Sequence, residues 1–148
     1  MTANVSATHV ELLLVEDDDG DIFLTEEAFR ETGMNLHINV VTDGEQALDY
    51  LHRRGPYAQA TRPDLVLLDL NMPRKDGREV LEEIKQDPDL QQIPVAVLTT
   101  SDAEEDILQA YHLHANCYIR KPIDIKRFFE VMREIGNFWF CTVTLPPK

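Results

Sequence analysis

Glu16-Asp17, Asp69, Thr99 and Lys121 each stand at or just past the end of an apolar, strand-like run. Val10-Glu11-Leu12-Leu13-Leu14-Val15 ends in Glu16-Asp17-Asp18-Asp19, and Leu65-Val66-Leu67-Leu68 ends in Asp69. Cys117-Tyr118-Ile119 delivers Lys121-Pro122. If these strands lie parallel in an open α/β sheet, their C-terminal ends form the ligand crevice. Several carboxylates and one ammonium then meet at one point. Asp69 can ligate a metal, or attack phosphorus to give an acyl phosphate. Glu16 and Asp17 beside it make a site too negative to stand unpaired. Mg²⁺ suits it, being hard, oxygen-seeking and usually held by one or two carboxylates with water and phosphate. Asn71, two residues beyond Asp69, can add a backbone carbonyl. Lys121 can pair with a phosphoryl oxygen and Thr99 can offer a hydroxyl. Phosphoryl transfer needs little beyond such positioning and charge stabilisation.

The elements that must position these groups alternate regularly. Strands are expected at about 10–15, 36–41, 64–69, 94–99 and 116–119. Helices are expected at about 21–32, 44–53, 76–86, 103–113 and 124–137. Gly33 ends the first helix and Asp87-Pro88 the third. In the last, Phe128, Val131, Met132 and Ile135 recur at helical spacing. Residues 54–63 read as a loop from their Gly and Pro. The first, third and fourth strands are continuously apolar, as when helices cover both sheet faces. Strict βα alternation implies right-handed crossovers and a five-stranded, doubly wound parallel sheet of flavodoxin-like (βα)5 type.

The 148 residues suit one domain with one real core, and 43% apolar content favours folding over disorder. A net charge of −13 argues against a general nucleic-acid or anionic-membrane binder. No apolar run approaches the roughly 20 residues that span a bilayer. Met1 to Thr8 is polar and lacks a signal-peptide core; it is expected to be a flexible N-terminus. Cys117 and Cys141 lack metal-ligand spacing and read as reduced thiols of a cytoplasmic protein, Cys117 in the core. His9, His37, His52, His112 and His114 are scattered. His112 and His114, two apart, cannot share a helix face. These histidines are read as binding no metal.

Each site feature has an ordinary alternative. Glu16 to Asp21 can be a solvated turn, Asp69 a strand end, and Lys121 a surface lysine. One residue of Thr99-Thr100-Ser101-Asp102 is expected to cap the fourth helix. These alternatives fail jointly, because all the features fall at strand ends of one fold.

The chain resembles the receiver domain of two-component response regulators over residues 9–137. The resemblance is carried by Val15-Glu16-Asp17-Asp18, Leu68-Asp69-Leu70-Asn71-Met72-Pro73 with Asp76-Gly77, Leu98-Thr99-Thr100-Ser101, and Tyr118-Ile119-Arg120-Lys121-Pro122. It implies that Asp69 is the phosphoacceptor for a histidine kinase. Glu16, Asp17, Asp69 and the Asn71 carbonyl are then the Mg²⁺ site, Asp17 touching the metal and Glu16 acting through water. Thr99 is the switch hydroxyl, Lys121 the phosphate partner and Tyr118 the aromatic switch. The Lys121-Pro122 bond is expected to be cis. Met72-Pro73 shapes the loop beside the site.

Gly55-Pro56-Tyr57-Ala58, Lys75-Asp76-Gly77-Arg78-Glu79-Val80-Leu81 and the ending Asn137-Phe138-Trp139-Phe140 through Leu145-Pro146-Pro147 look like the small stand-alone regulators paired with cyanobacterial phytochromes. The kinase implied is a phytochrome-like photoreceptor. The family commonly has Gly before Ala-Asn ahead of the fifth strand, where this chain has His114. Residues 138–148 form an aromatic and proline tail with the chain's only tryptophan and two of its six phenylalanines. Phe138, Trp139 and Phe140 are expected to anchor a homodimer, and packing of the end of the last helix is the ordinary alternative, which does not exclude it. With no output domain expected after residue 137, signalling is expected to run through contact with a downstream protein.

Two rivals fit less well. A haloacid-dehalogenase-type phosphohydrolase needs a second Asp where Asn71 stands, and a cap domain. A flavodoxin-like nucleotide binder needs a Gly-rich loop where Glu16 to Asp19 would repel phosphates. An interaction module without phosphorylation is separated only by testing phosphodonors.

Overall fold

A computed structural model describes residues 9–72 and 74–147. Residues 1–8, Pro73 and Lys148 lie outside it, and with them the expectations of a flexible N-terminus and of a role for Pro73. Five parallel strands, β1 (Val10–Val15), β2 (Leu36–Val41), β3 (Leu65–Leu68), β4 (Val95–Thr99) and β5 (Cys117–Arg120), form one sheet. Their order is β2-β1-β3-β4-β5. Five helices connect and cover them: α1 (Asp19–Glu31), α2 (Gly44–Leu51), α3 (Gly77–Gln86), α4 (Glu104–His112) and α5 (Ile125–Asn137). This is the doubly wound flavodoxin-like arrangement expected from the alternation.

Side chains alternate across the sheet and divide the core in two. Leu12, Leu14, Leu65, Leu67, Ala96 and Leu98 pack with α1 and α5 through Ala28, Phe29, Phe128 and Met132. Leu13, Val15, Val66, Leu68, Val95 and Val97 pack with α2, α3 and α4 through Leu48, Val80, Ile84 and Ala110. Every residue of β1, β3 and β4 is buried, whereas β2 and β5 are partly exposed edges. Strand order reverses between β1 and β3, so the crevice opens at their C-terminal ends.

The helix starts show local chemistry. Asp18 accepts from the Asp21 N–H at 2.9 Å, so α1 begins two residues earlier than expected. Asp43 caps α2, Asp124 caps α5, and Asp76 and Glu79 form a reciprocal capping box on α3. The expected cap of α4 is corrected. Ala103 holds that position without a side-chain bond. Ser101 accepts from the Ala103 N–H and spends its own proton on Asp106, at 2.6 Å. The acidic first turn, Glu104 to Asp106, favours the helix start instead.

The turn before β5 is resolved by His114, whose φ of 72° is the left-handed conformation that glycine adopts without strain. Beyond α5 the chain continues as a π-helical stretch, Phe138–Thr142. Trp139 is buried against the α1/α5 core, with Cys117 packed against the same cluster. Phe140 meets Phe29 edge-on with ring centres 5.6 Å apart. Phe138 remains 53% exposed. In the loop after α2, Tyr57 packs against Tyr50 at 5.4 Å. Among the described residues no helix is long and apolar enough to cross a membrane.

Gly77 is where helix packing meets the site. A Cβ there would lie 2.4 Å from the Asp69 carbonyl oxygen and 2.6 Å from the Leu70 Cα. Both obstacles are backbone. Gly77→Ala is therefore expected to lower stability by about 2–3 kcal/mol through overpacking. A urea midpoint unchanged from wild type would contradict this close approach.

Candidate functional site

Four strand ends and one helix build the site. β1 delivers Glu16 and Asp17, β3 delivers Asp69, β4 ends in Thr99, and Lys121 follows β5. Glu16, Asp69, Thr99 and Lys121 are buried, while Asp17 is exposed. Lys121 Nζ is the hub. It lies 2.5 Å from Glu16 Oε1, 2.9 Å from Asp21 Oδ2 and 3.4 Å from Asp69 Oδ2. Carboxylate oxygens of Glu16, Asp17 and Asp69 all lie within 4.8 Å of one another. The Asn71 N–H donates to Asp69 Oδ1 at 3.1 Å, and the Asn71 side-chain amide donates to Thr99 Oγ1 at 3.2 Å. Glu16, Asp17, Asp69, Asn71, Thr99 and Lys121 are thus placed around one crevice, with Tyr118 beside it and Phe138, Trp139 and Phe140 in the tail after α5.

Asp21 is the site residue that sequence reasoning missed. It belongs to the acidic run after β1, and α1 turns it toward Lys121, a hundred positions along the chain. Its signal was its place in the first turn of a helix starting at Asp19. The Lys121-Pro122 bond corrects another expectation. No described peptide bond is cis, so this one is trans. The lysine is aimed by its three carboxylate partners and by its own N–H, which donates to the Thr99 carbonyl at 2.7 Å.

The electrostatics are unbalanced. Burial is the largest influence on Glu16 and pushes its carboxyl up to about 7, with the charge of Asp69 adding and Lys121 opposing. Burial works against the Lys121 ammonium, but its bonds to Glu16 and Asp21 and the charge of Asp69 outweigh it and raise its pKa. Four carboxylates face one ammonium. The ammonium stays charged, and the surplus negative charge seeks a proton or a cation. An all-oxygen cluster of this size fits a hard divalent ion.

Tyr118 is held beside the site by the loop after β4. Its hydroxyl donates to the Ser101 carbonyl at 2.8 Å, and burial raises its pKa. Ser101 bonds Asp106 of α4, and Asp106 meets Arg78 of α3 at 3.0 Å. Hydrogen bonds from Ser101 and Arg78 lower the pKa of Asp106. A continuous polar chain therefore runs from the residues just past Thr99 to two helices.

A parallel sheet with an acidic pair, a strand-end Asp, a hydroxyl and a lysine around one crevice defines a phosphoryl-accepting signalling module. The chain belongs to the response regulator receiver domain family, whose pattern matches residues 12–133. It is 47% identical over 135 residues to response regulator Rcp1 of Synechocystis sp., covering 91% of this chain and 92% of that protein. The crystal structure of a phosphorylated cyanobacterial phytochrome response regulator, RcpA, superposes with a TM-score of 0.92 at 49% identity. That match covers 95% of this chain and 100% of the other. The Mn²⁺-bound form of Rcp1 superposes with a TM-score of 0.91 at 46% identity, over 93% and 99% of the two chains. The fold and the family agree with the resemblance read from the motifs.

The raised Glu16 pKa has a consequence for stability. Its folded value, about 7, exceeds the ordinary 4.5, so the folded state holds the extra proton between those limits. Stability of the metal-free protein from this group therefore falls as pH rises from about 4.5 to about 7, by roughly 1–3 kcal/mol. In EDTA, melting is expected at a higher temperature at pH 6 than at pH 8. Glu16→Gln should flatten that difference, and an undiminished difference in the variant would assign it to other groups.

Proposed function

We propose that this protein is a single-domain response regulator that accepts a phosphoryl group on Asp69 from the phosphohistidine of a phytochrome-type histidine kinase. The observation that carries the reading is Asp69 itself, buried at the end of β3 between Lys121 and the acidic pair. The similarity to a cyanobacterial phytochrome response regulator supports the kinase class. Phe23 and Ile123, each two residues from a Lys121-cluster member, are 60% and 91% exposed and give the crevice an apolar rim for a docking partner. Such a kinase and its regulator meet in the cytoplasm.

An Asp69 carboxylate oxygen attacks phosphorus. The O–P bond forms as the P–N bond of phosphohistidine breaks, and the imidazole leaves with the electron pair. Lys121 stabilises a phosphoryl oxygen, exchanging part of its contact with Asp69 for the new charge. Glu16, Asp17, Asp69 and the Asn71 carbonyl are the groups that would hold Mg²⁺, which when bound offsets the repulsion between the carboxylates and the phosphoryl group. Hydrolysis of the acyl phosphate by water resets the domain, and no small-molecule metabolite is turned over.

The switch begins at Thr99, whose hydroxyl now accepts from Asn71. A phosphoryl oxygen on Asp69 offers that hydroxyl a charged acceptor and draws it inward. The following loop moves with it, and the Tyr118–Ser101–Asp106–Arg78 chain carries the movement to α4 and α3. Tyr118 turns inward to fill the space vacated. Output is contact with a downstream protein and with a second copy of the chain. Of the three tail aromatics, Phe138 is the one exposed and the dimer reading rests on it.

Two experiments test this. Intact mass after acetyl phosphate treatment is expected to show one added phosphate in wild type with Mg²⁺, none with EDTA, and none in Asp69→Asn. No adduct under any condition would leave a plain interaction module. Sedimentation of the phosphorylated proteins is expected to give a dimer for wild type and monomers for Thr99→Ala and Phe138→Ser. Phosphorylated Thr99→Ala behaving as wild type would remove the switch role, and a dimeric Phe138→Ser would remove the tail from the interface.

A further inference from the structure

At the opposite end of the sheet, β1 carries a charge where its neighbours are apolar. Glu11 is 4% exposed, although it lies between Val10 and Leu12 in a central strand. The β1–β2 register sets it directly beside His37. His9, two residues earlier, projects on the same side as strand alternation requires. His37 Nδ1 lies 3.1 and 3.2 Å from the two Glu11 oxygens, and His9 Nε2 contacts Oε2. One nitrogen from each imidazole and a Glu11 oxygen all lie within 4.8 Å of one another.

We propose that His9, Glu11 and His37 form a binding site for a zinc-type transition-metal dication, separate from the phosphorylation crevice. Two imidazole nitrogens and one carboxylate are borderline donors that favour Zn²⁺, Ni²⁺ or Cu²⁺, whereas the all-oxygen crevice favours Mg²⁺ or Mn²⁺. Metal–ligand bonds near 2.1 Å place tetrahedral ligands about 3.4 Å apart, close to the spacing of His37 from Glu11. The carboxylate is anchored by its outer partners. Asn39 Nδ2 donates to Oε1 at 3.2 Å, and the Glu11 backbone N–H, donating to the Asp64 carboxylate at 2.8 Å, fixes the residue's main chain. His9 Nδ1 faces Asn35 Oδ1 at 3.4 Å, the arrangement by which a metal-bound imidazole disposes of its other N–H. The carboxylate is buried, but the His9 and His37 side chains are 47% and 60% exposed. An ion can therefore enter from solvent, displace the imidazole-to-carboxylate hydrogen bonds and leave a fourth position open. His9 and His37, far apart in sequence, are gathered beside Glu11 by the β1–β2 pairing.

The test is calorimetric titration of ZnCl₂ into the tag-free full chain, with Mg²⁺ present to fill the crevice. One Zn²⁺ per chain is expected. His9→Ala and His37→Ala should each weaken it by at least about 100-fold, beyond the roughly 10–100-fold that outer partners carry. Asn35→Ala should weaken it about 10-fold, and Asp17→Asn should leave it unchanged. Both histidines are exposed, so these variants keep the fold. Co²⁺ should give the visible absorption of a tetrahedral site in wild type and lose it in His37→Ala. Absence of Zn²⁺ binding, binding unchanged in both histidine variants, or binding lost in Asp17→Asn would each overturn the proposal.

Discussion

The Lys121 ammonium is the contact on which the rest of the site depends. It is buried, and it touches carboxylates from β1, α1 and β3 while its own backbone is tied to β4. Desolvating so many charges is costly unless they are paired and hydrogen-bonded. One ammonium shared among three carboxylates meets only part of that need. The shortfall is also what makes the crevice chemically ready. A group of acids held together with too little positive charge will take up a cation, and the lysine can transfer its attention from Asp69 to an arriving phosphoryl oxygen without leaving its place.

Much of this was legible in the sequence. The apolar runs of β1, β3 and β4 announced strands buried on both faces, and the polar residue ending each run announced the crevice. What could not be read was whatever depends on distant chain segments meeting. Asp21 reads as part of an acidic turn until α1 starts two residues early and directs it to Lys121. Ser101 reads as a helix cap until its hydroxyl is found on Asp106. The tail is similar. Phe138, Trp139 and Phe140 are equal in composition, and only their direction around the π-helical turn buries one ring, half-buries another and exposes the third.

Two local backbone features, one in the turn before β5 and one at the start of α3, bear on the site. His114 takes the left-handed backbone that glycine would take freely, and the cost, of order 1–2 kcal/mol, is borne by a turn that sets β5 and hence Lys121. Gly77 is the converse, a position where any side chain would collide with the Asp69 backbone. Both residues touch the chemistry only through the backbone, yet each fixes one of the two groups, ammonium and acceptor carboxylate, whose separation defines the crevice.

The sheet carries buried carboxylates at both of its ends, and the difference in their partners decides what each end can do. At the C-terminal end the partners are an ammonium and other carboxylates, so the surplus charge is negative and the ligand is a hard cation with an anionic group. At the N-terminal end Glu11 meets two imidazoles and an amide. Imidazoles can give up a proton and still bind a metal, which an ammonium that stays charged cannot do. β1 is common to both ends, holding Glu11 at its start and delivering Glu16 and Asp17 at its finish. A dication bridging His9 and His37 would fasten the β2 edge to this strand and leave the phosphorylation crevice its own charge balance.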